Sequence, residues 1–190
     1  MTVPNLITSM RIILTPVFII YLINNEFELA LIVFAVCSVS DGVDGILART
    51  LNQKSTLGTF LDPLADKILL VASFIVLAVK DLLPSWLTVL VISRDIMILL
   101  GVLILFLNGL DIKIKPSILS KINTCLQFIT IVIVLSKDIF FSSISDGFYL
   151  FPFYLTAMLT ISSGLHYMHY WFRVLGDGAN DRRNPKIGQS

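Results

Sequence analysis

The stretch "SWLTVLVISRDIMILLGVLILFL", residues 85–107, decides what kind of fold this chain can adopt. It is uncharged along its whole length apart from the adjacent residues Arg94 and Asp95. A helix needs about 20 predominantly apolar residues to cross a bilayer. Helices are the default there because their backbone groups hydrogen-bond to one another. The stretch therefore predicts a transmembrane helix that carries two charges in its interior.

Stretches of the same kind recur along the rest of the chain. Hydrophobic residues make up 56% of the 190 positions and charged residues only 14%, whereas a soluble domain carries about 25% charged residues. The alternative, a soluble all-α protein with an unusually apolar core, is disfavoured because bilayer-length stretches repeat throughout. We therefore expect an all-α integral membrane protein with six transmembrane helices over residues 6–23, 29–50, 61–79, 85–107, 118–136 and 149–172.

Basic residues are unevenly divided between the predicted loops. One set of alternate loops, together with the C-terminal tail, holds Arg49, Lys54, Lys113, Lys115, Arg173, Arg182, Arg183 and Lys186. The opposite loops hold Lys80 and Lys137. Because cytoplasmic loops carry the excess of Lys and Arg, both termini are expected to be cytoplasmic. We divide the chain into a membrane domain, residues 1–175, and a polar, Gly-rich tail, residues 176–190, which is predicted to be a disordered cytoplasmic segment.

Four acidic residues stand out in the stretch "DGVDGILARTLNQKSTLGTFLDPLADK", residues 41–67. The first two aspartates are three positions apart and the last two are four apart, so each pair shares one face of a helix. A short loop joins the two helices, which brings all four carboxylates together near one membrane face. Carboxylate ligands without His or Cys suit hard cations and can hold two of them around a phosphate chain. We predict a two-metal site for Mg²⁺ or Mn²⁺ with the ligands Asp41, Asp44, Asp62 and Asp66.

These aspartates belong to a longer pattern, Asp41-x2-Asp44-Gly45-x2-Ala48-Arg49-x8-Gly58-x3-Asp62-x3-Asp66. The pattern resembles in full the signature of the CDP-alcohol phosphatidyltransferases, integral membrane enzymes of phospholipid synthesis. Other stretches resemble the bacterial glycerophospholipid branch of this family: "VPNLITSMRIILTPVF" at 3–18, "DPLADKILL" at 62–70, "ISRD" at 92–95, "KPSILSKINT" at 115–124 and "SGLHY" at 163–167. The resemblance covers nearly the whole chain up to the polar tail.

The resemblance implies a metal-dependent enzyme with six helices, commonly homodimeric, whose site opens to the cytoplasmic leaflet of a bacterial inner membrane. The donor would be CDP-diacylglycerol, and the hydroxyl of a glycerol-type acceptor would attack its phosphorus and release CMP. By position, Asp66 matches both a metal ligand and the candidate general base for that hydroxyl. The positions that match CDP binding are Gly45, Ala48, Arg49 and Gly58. Membrane lipids are the expected surroundings, and no nucleic-acid partner is expected.

The acceptor site is predicted less directly. Arg94 lies within a span, and the resemblance places it with Lys121, Lys113 and Lys115 as ligands of an acceptor phosphate. The alternative is that Arg94 pairs with Asp95 or with one of the site acids.

Two acceptors are the main candidates, and an inositol-phosphate or serine acceptor is a third, less favoured alternative. Glycerol-3-phosphate, which gives phosphatidylglycerophosphate, is placed first because the lysines suit a compact dianion and the role is common. Phosphatidylglycerol, which gives cardiolipin, is the alternative. Glycerol-3-phosphate enzymes often carry a second arginine two turns after the first, whereas this chain has Gly101 and apolar residues there.

A small cation transporter or channel is the non-enzymatic alternative, with the acids forming its ion pathway. Such a pathway would need acids distributed across the membrane. The four aspartates are instead expected near one face, so the sequence favours the enzyme.

Overall fold

The computed structural model describes residues 3–50, 56–107, 118–140 and 146–183, with side chains described for residues 10–40, 66–104, 107, 118–137 and 150–173. Within these ranges the chain is all-helical. The helices are α1 (Val3–Ile23), α2 (Phe27–Thr50), α3 (Thr56–Val79), α4 (Ser85–Leu107), α5 (Ile118–Phe140) and α6 (Asp146–Arg183). Each of the six predicted spans falls within one of these helices, so the number and order of helices are confirmed for the described part of the chain.

The turns after α1 and α3 close their helices in the same way. In each turn one residue adopts the left-handed conformation, Asn25 (φ 63°) after α1 and Asp81 (φ 58°) after α3. The next residue then donates back to the fifth residue before it, Glu26 N to Tyr21 O at 2.9 Å and Leu82 N to Leu77 O at 3.0 Å. This is the Schellman arrangement, which satisfies the last carbonyls of a helix.

The two turns also lie at the same end of the bundle. Lys80 Nζ donates to Asn25 Oδ1 at 2.5 Å and so links the α3–α4 turn to the α1–α2 turn. The first four helices therefore run alternately up and down. This arrangement fixes the relative heights of the helices, so residues at similar distances from the two turns can meet across helix interfaces.

Helices α4 and α6 are parallel and stay in register along most of α4. The rings of Trp86 and Tyr154 are 5.9 Å apart near the start of α4. One helical level further on, Arg94 Nη2 donates to Ser163 Oγ at 2.8 Å. Near the end of α4, the Trp171 ring packs where a β-carbon of Gly101 would otherwise project. Parallel packing of α4 and α6 requires α5 to return between them, as expected for a chain that alternates in direction.

An apolar core fills the half of the bundle nearest the two turns. Its largest members come from all of the helices α1 to α5 and are less than 2% exposed: Phe18, Leu22, Phe34, Phe74, Leu77, Leu87, Ile131 and Leu135. Phe34 is central, with ring centroids 5.5 Å from Phe18 and 5.5 Å from Phe128. Burial of such side chains stabilises a fold through close packing even where the surroundings are lipid.

The outer surface is rich in large apolar side chains. On α4 alone, Val89, Leu99 and Leu107 are between 63% and 74% exposed. Exposed apolar patches of this extent mark a surface that contacts lipid or another protein. Among the described residues, two stretches are long and apolar enough to cross a membrane, Ser85–Ile104 and Ile118–Lys137, and shorter apolar stretches occur at Met10–Ile23 and Phe27–Ser40.

The last helix is longer than the sequence predicts. The predicted span ends at residue 172, but α6 continues to Arg183. Residues 176–183, assigned above to a disordered tail, are therefore helical, whereas residues 184–190 lie outside the described part of the chain. Composition suggested a tail because Gly176 and Gly178 each disfavour a helix by about 1 kcal/mol relative to Ala. No proline interrupts the segment before Pro185, so the helix that precedes it continues.

Candidate active site

Charged and hydroxyl side chains from five helices meet at one level of the bundle. We call this set the charged layer: Arg11 of α1, Asp66 and Lys67 of α3, Arg94 and Asp95 of α4, Ser120 of α5 and Ser163 of α6. From this layer to the nearer helix ends at the two turns, α1, α3 and α4 extend for about 14–20 Å at 1.5 Å per residue. The layer therefore lies well inside the helical bundle, beyond the apolar core.

Arg11 and Asp66 form the first ion pair of the layer. Arg11 Nη1 donates to Asp66 Oδ1 at 3.0 Å. The Arg11 side chain is 1% exposed and that of Asp66 is 26% exposed. A buried guanidinium is stable only where acceptors surround it. Arg11 thus fixes the orientation of Asp66 and offsets its charge.

Lys67 points away from its neighbour Asp66, because consecutive helical residues are rotated by about 100°. Its ammonium donates to Asp95 Oδ2 at 2.6 Å, across the interface between α3 and α4. The other carboxylate oxygen of Asp95 accepts from Arg94 Nη1 at 2.7 Å. One acid therefore binds two cations, and this described cluster of three residues carries one net positive charge.

Arg94 joins three helices. Besides Asp95 on its own helix, its Nη2 donates to Ser120 Oγ of α5 at 2.6 Å and to Ser163 Oγ of α6 at 2.8 Å. The guanidinium carbon lies 5.9 Å from the centre of the Tyr167 ring, a distance at which a cation is attracted to the ring face. The side chain is 5% exposed, and its Nε has no hydrogen-bond partner among the described residues. Arg94 is held rigidly and keeps one buried donor for a further acceptor.

Most of the predicted metal and donor residues lie outside the described side chains. Residues 41–50 and 58–62 belong to α2 and α3, but the side chains of Asp41, Asp44, Gly45, Ala48, Arg49, Gly58 and Asp62 are not described. Asp66 is the one predicted metal ligand whose contacts are seen. Among the described side chains no group of three or more His, Cys, Asp or Glu is close enough to hold a metal ion. The proposed four-aspartate set therefore stays a prediction.

The predicted acceptor residues divide into three kinds. Arg94 lies in the charged layer and pairs with Asp95, as the alternative considered for it states. Its binding of an acceptor phosphate stays a prediction. Lys121 is exposed on α5, next to Ser120, and forms no ion pair with a described residue. Lys113 and Lys115 lie in residues 108–117, outside the described part of the chain.

Sequence reasoning missed the role of Arg11 and the sharing of Asp95. Arg11 lies within the first apolar stretch and outside the aspartate motif. A stronger signal was available, since an ionisable residue inside a membrane span almost always faces a partner in the bundle interior. That rule applied to Arg11, Lys67 and Arg94 predicts a partner acid for each, although it cannot say which acid serves which cation.

Comparison with known proteins identifies the family of this chain. A sequence model of the family described as CDP-alcohol phosphatidyltransferase matches residues 1–175. A rat protein named cardiolipin synthase (CMP-forming) is 37% identical over 186 residues, which cover 89% of this chain and 61% of that protein. The human protein of that name is 36% identical over the same shares of the two chains. This chain thus spans about three-fifths of the length of these relatives.

A bacterial relative is matched over nearly all of its length. The Bacillus subtilis protein named CDP-diacylglycerol--glycerol-3-phosphate 3-phosphatidyltransferase is 34% identical over 179 residues, covering 86% of this chain and 92% of that protein. The match of the family model over most of the chain confirms the resemblance predicted from the motif. This chain belongs to the CDP-alcohol phosphatidyltransferase family, whose members are membrane-associated and generally depend on a divalent metal.

Proposed function

We propose that this protein transfers a phosphatidyl group from CDP-diacylglycerol to the hydroxyl of a glycerol-type acceptor and releases CMP. The charged layer is the observation that supports this proposal best. It brings Asp66, the last aspartate of the family motif, to the same level as two cations, Lys67 of the same helix and Arg94 of α4. An acid that can act on a hydroxyl and cations that can bind an acceptor phosphate thus lie at one level of the bundle, on two sides of α3.

The metal assignment rests on the chemistry of the donor set. Asp41, Asp44, Asp62 and Asp66 offer only carboxylate oxygens, which fit Mg²⁺ or Mn²⁺ and not softer metals. Such ions, when bound, offset the charge of a pyrophosphate and stabilise the leaving phosphate oxygen. Asp66 is prearranged for this role, since Arg11 holds one of its oxygens.

The remaining roles follow from charge and position. We assign Gly45, Ala48, Arg49 and Gly58 to the CDP moiety, because small residues admit a nucleotide close to the helix and an arginine binds phosphate oxygens bidentately. Asp66 accepts the proton of the acceptor hydroxyl, and this transfer occurs late in the reaction because a metal-bound carboxylate is a weak base. Arg94 binds the acceptor phosphate through donors that the bundle has already oriented.

Two acceptors are consistent with the family. The sequence favours glycerol-3-phosphate, the substrate named for the Bacillus subtilis relative. Phosphatidylglycerol, giving cardiolipin, is the second candidate. A specific observation supports it: Asp95 neutralises one of the two cations that it binds, which leaves one positive charge for a phosphodiester. Lys113, Lys115 and Lys121 would add charge for a dianion if they contact the acceptor.

We further propose that the six helices each cross the membrane, with both termini and the active site on the cytoplasmic side. The excess of basic residues in alternate loops supports this orientation. The location would be a bacterial inner membrane, and a homodimer is the assembly that the family resemblance suggests. The large apolar surface of α4 is compatible with either lipid or a second copy.

The direct test gives the purified full-length protein CDP-diacylglycerol together with each acceptor separately. We expect Mg²⁺- or Mn²⁺-dependent release of CMP and a new phospholipid identified by mass spectrometry. EDTA should stop the reaction and added metal should restore it. The proposed function would be contradicted if the folded, metal-loaded protein released no CMP with any acceptor. Metal-dependent cation flux in vesicles without CMP release would favour the transporter instead.

A further inference from the structure

A groove of about 440 Å³ runs between α4 and α6, from Trp86 to the level just beyond Arg94. Its walls are almost wholly apolar; the main contributors are Trp86, Val89, Met97, Ile161, Leu165 and Met168. The volume lies in the range of pockets that hold small ligands, about 300–1,000 Å³. These six side chains are between 37% and 63% exposed, so the groove opens on the outer surface of the bundle.

One end of this groove reaches the charged layer. Arg94 belongs to its lining, and a β-carbon placed on Gly164 would still lie 3.8 Å from Arg94 Cγ, in ordinary contact. The other end, at Trp86, is eight residues earlier on α4, or about 12 Å along the helix axis. The groove therefore extends from a cationic end into the half of the bundle that holds the apolar core. A molecule with an anionic head and an apolar chain matches both ends.

The groove lies apart from the donor motif. That motif is on α2 and the first part of α3, and α2 packs against α1 and α5. The groove is formed by α4 and α6, which pack against each other, with α4 also on α3 and α6 on α5. An acyl chain lying in the groove would reach the charged layer beside Arg94, the charged residue of the groove lining. Asp66 points to the other side of α3, toward Arg11. The groove thus meets the layer at Arg94, the residue proposed above to bind the acceptor phosphate.

We propose that the α4–α6 groove binds one acyl chain of an acceptor phospholipid whose phosphodiester lies against Arg94, the member of the Lys67–Asp95–Arg94 cluster that lines the groove. This inference rests on the proposed phosphatidyl transfer and names the class of acceptor. The net charge of the cluster, one positive charge, matches the single negative charge of a phosphodiester. The buried Nε of Arg94, which has no partner among the described residues, supplies a donor beside the groove. A water-soluble acceptor such as glycerol-3-phosphate would leave the groove unused.

The kinetic test uses substitutions that fill the groove, one on each of its two walls. Leu165→Trp and Val89→Trp place a bulky ring in it, while Leu99→Trp is the matched control on the lipid-facing surface of α4 outside the groove lining. Rates with CDP-diacylglycerol are measured with phosphatidylglycerol and with glycerol-3-phosphate as acceptors. We expect both groove variants to lower kcat/KM for phosphatidylglycerol by about tenfold, since displacement of a bound substrate by an ångström can cost 10- to 100-fold. Leu99→Trp and the KM for the donor should stay unchanged.

A binding measurement makes the test independent of turnover. In a Trp171→Phe background, Trp86 is the remaining tryptophan and lies in the groove. Phosphatidylglycerol brominated in its acyl chains should quench Trp86 fluorescence more strongly than brominated phosphatidylcholine at the same mole fraction. Arg94→Gln should remove that preference. Equal quenching by the two lipids would mean that bulk membrane chains fill the groove.

Several outcomes would overturn the proposal. A rise in the donor KM would mean that the acyl chain in the groove belongs to CDP-diacylglycerol. An equal loss of kcat/KM with both acceptors would make the groove a structural element. If Leu165→Trp instead dissociates a dimer, the groove is a contact between two copies. Failure of the wild-type protein to release CMP with any acceptor would remove the proposed function. The quenching result alone would then decide whether the groove binds an anionic phospholipid.

Discussion

The two halves of the bundle differ in the side chains that fill their interiors. Toward the two linked turns, the interior consists of close-packed Phe and Leu side chains, and the helix ends are closed by their own backbone. At the charged layer, the described side chains instead include three cations and two acids, which form the pair Arg11–Asp66 and the separate cluster Lys67–Asp95–Arg94. Replacing buried ion pairs by well-packed apolar residues is often neutral or stabilising, so ion pairs inside a bundle are weak evidence of a role in stability. Function is therefore expected at the charged layer.

A narrow polar seam connects the two halves along the α5–α6 interface. Beyond Ser120 and Ser163, Thr160 Oγ1 donates to Asn123 Oδ1 at 2.9 Å, and the hydroxyls of Thr130 and Thr156 are 2.7 Å apart. Interhelical hydrogen bonds between small polar residues are a usual means of joining helices in membranes. The seam is therefore the boundary case: it is polar like the layer but uncharged like the core.

The largest effect is expected from Asp66→Asn. The amide keeps the shape but removes the charge, and loss of a general base or metal ligand should lower kcat by at least about 10²-fold. CMP release measures the loss, and the thermal midpoint shows that the fold persists. Ser73→Ala, a buried change in the apolar half of the same helix, is the control and should remain active. Near-normal turnover by folded Asp66→Asn would separate the charged layer from catalysis.

Arg94→Lys should have the next largest effect. An ammonium keeps the charge but cannot reach Asp95, Ser120 and Ser163 together, because it lacks the planar fork of guanidinium. Loss of one charge-assisted hydrogen bond costs about 1.5–3 kcal/mol, so the acceptor KM should rise by about 10- to 150-fold. The donor KM should change little.

Arg173→Lys, at an exposed position of α6, is the control for this change. A lowered thermal midpoint with an unchanged acceptor KM would show that Arg94 is structural. In that case the charged layer would resemble the apolar core in serving stability alone.

How far the sequence predicts this structure differs between the two halves. The helices follow from apolar stretches of bilayer length, and α4 was predicted at its observed bounds, 85–107. The family motif identified Asp66 because spacing along a helix is a local property. The partners of Asp66 and Arg94 could not be predicted, since ion pairs such as Arg11–Asp66 join residues 55 positions apart. Which acid meets which cation depends on helix rotation, and many rotations would bury a similar amount of apolar surface, because these helices carry apolar residues on all sides.

Gly101→Leu tests the packing of α4 against α6 beyond the charged layer, on the side away from the two turns. A β-carbon at this position would overlap the six-membered ring of Trp171, so the ring has to move. Overpacking of this kind destabilises by about 1–3 kcal/mol, measured as a lower thermal midpoint. Gly101→Leu combined with Trp171→Ala should recover much of the loss, because the two positions share one space. If the two changes instead lower the thermal midpoint additively, the side chains at 101 and 171 do not compete for the same space. Gly164→Ala, where the added carbon meets only ordinary contact, is the control.

The smallest effect is expected from Gln127→Met in the polar seam. Gln127 is 0% exposed, and neither its Oε1 nor its Nε2 has a hydrogen-bond partner among the described residues. A buried polar group without a partner costs about 1–3 kcal/mol, and an apolar side chain of similar shape removes that cost. Gln127→Met should therefore raise stability by about 1 kcal/mol, whereas Thr130→Val, which breaks the pair with Thr156, should lower it slightly. The thermal midpoints decide the sign of each change, and CMP release shows whether activity follows stability. If Gln127→Met instead abolishes turnover while the protein remains folded, the amide serves the reaction, and the functional region extends from the charged layer into the seam.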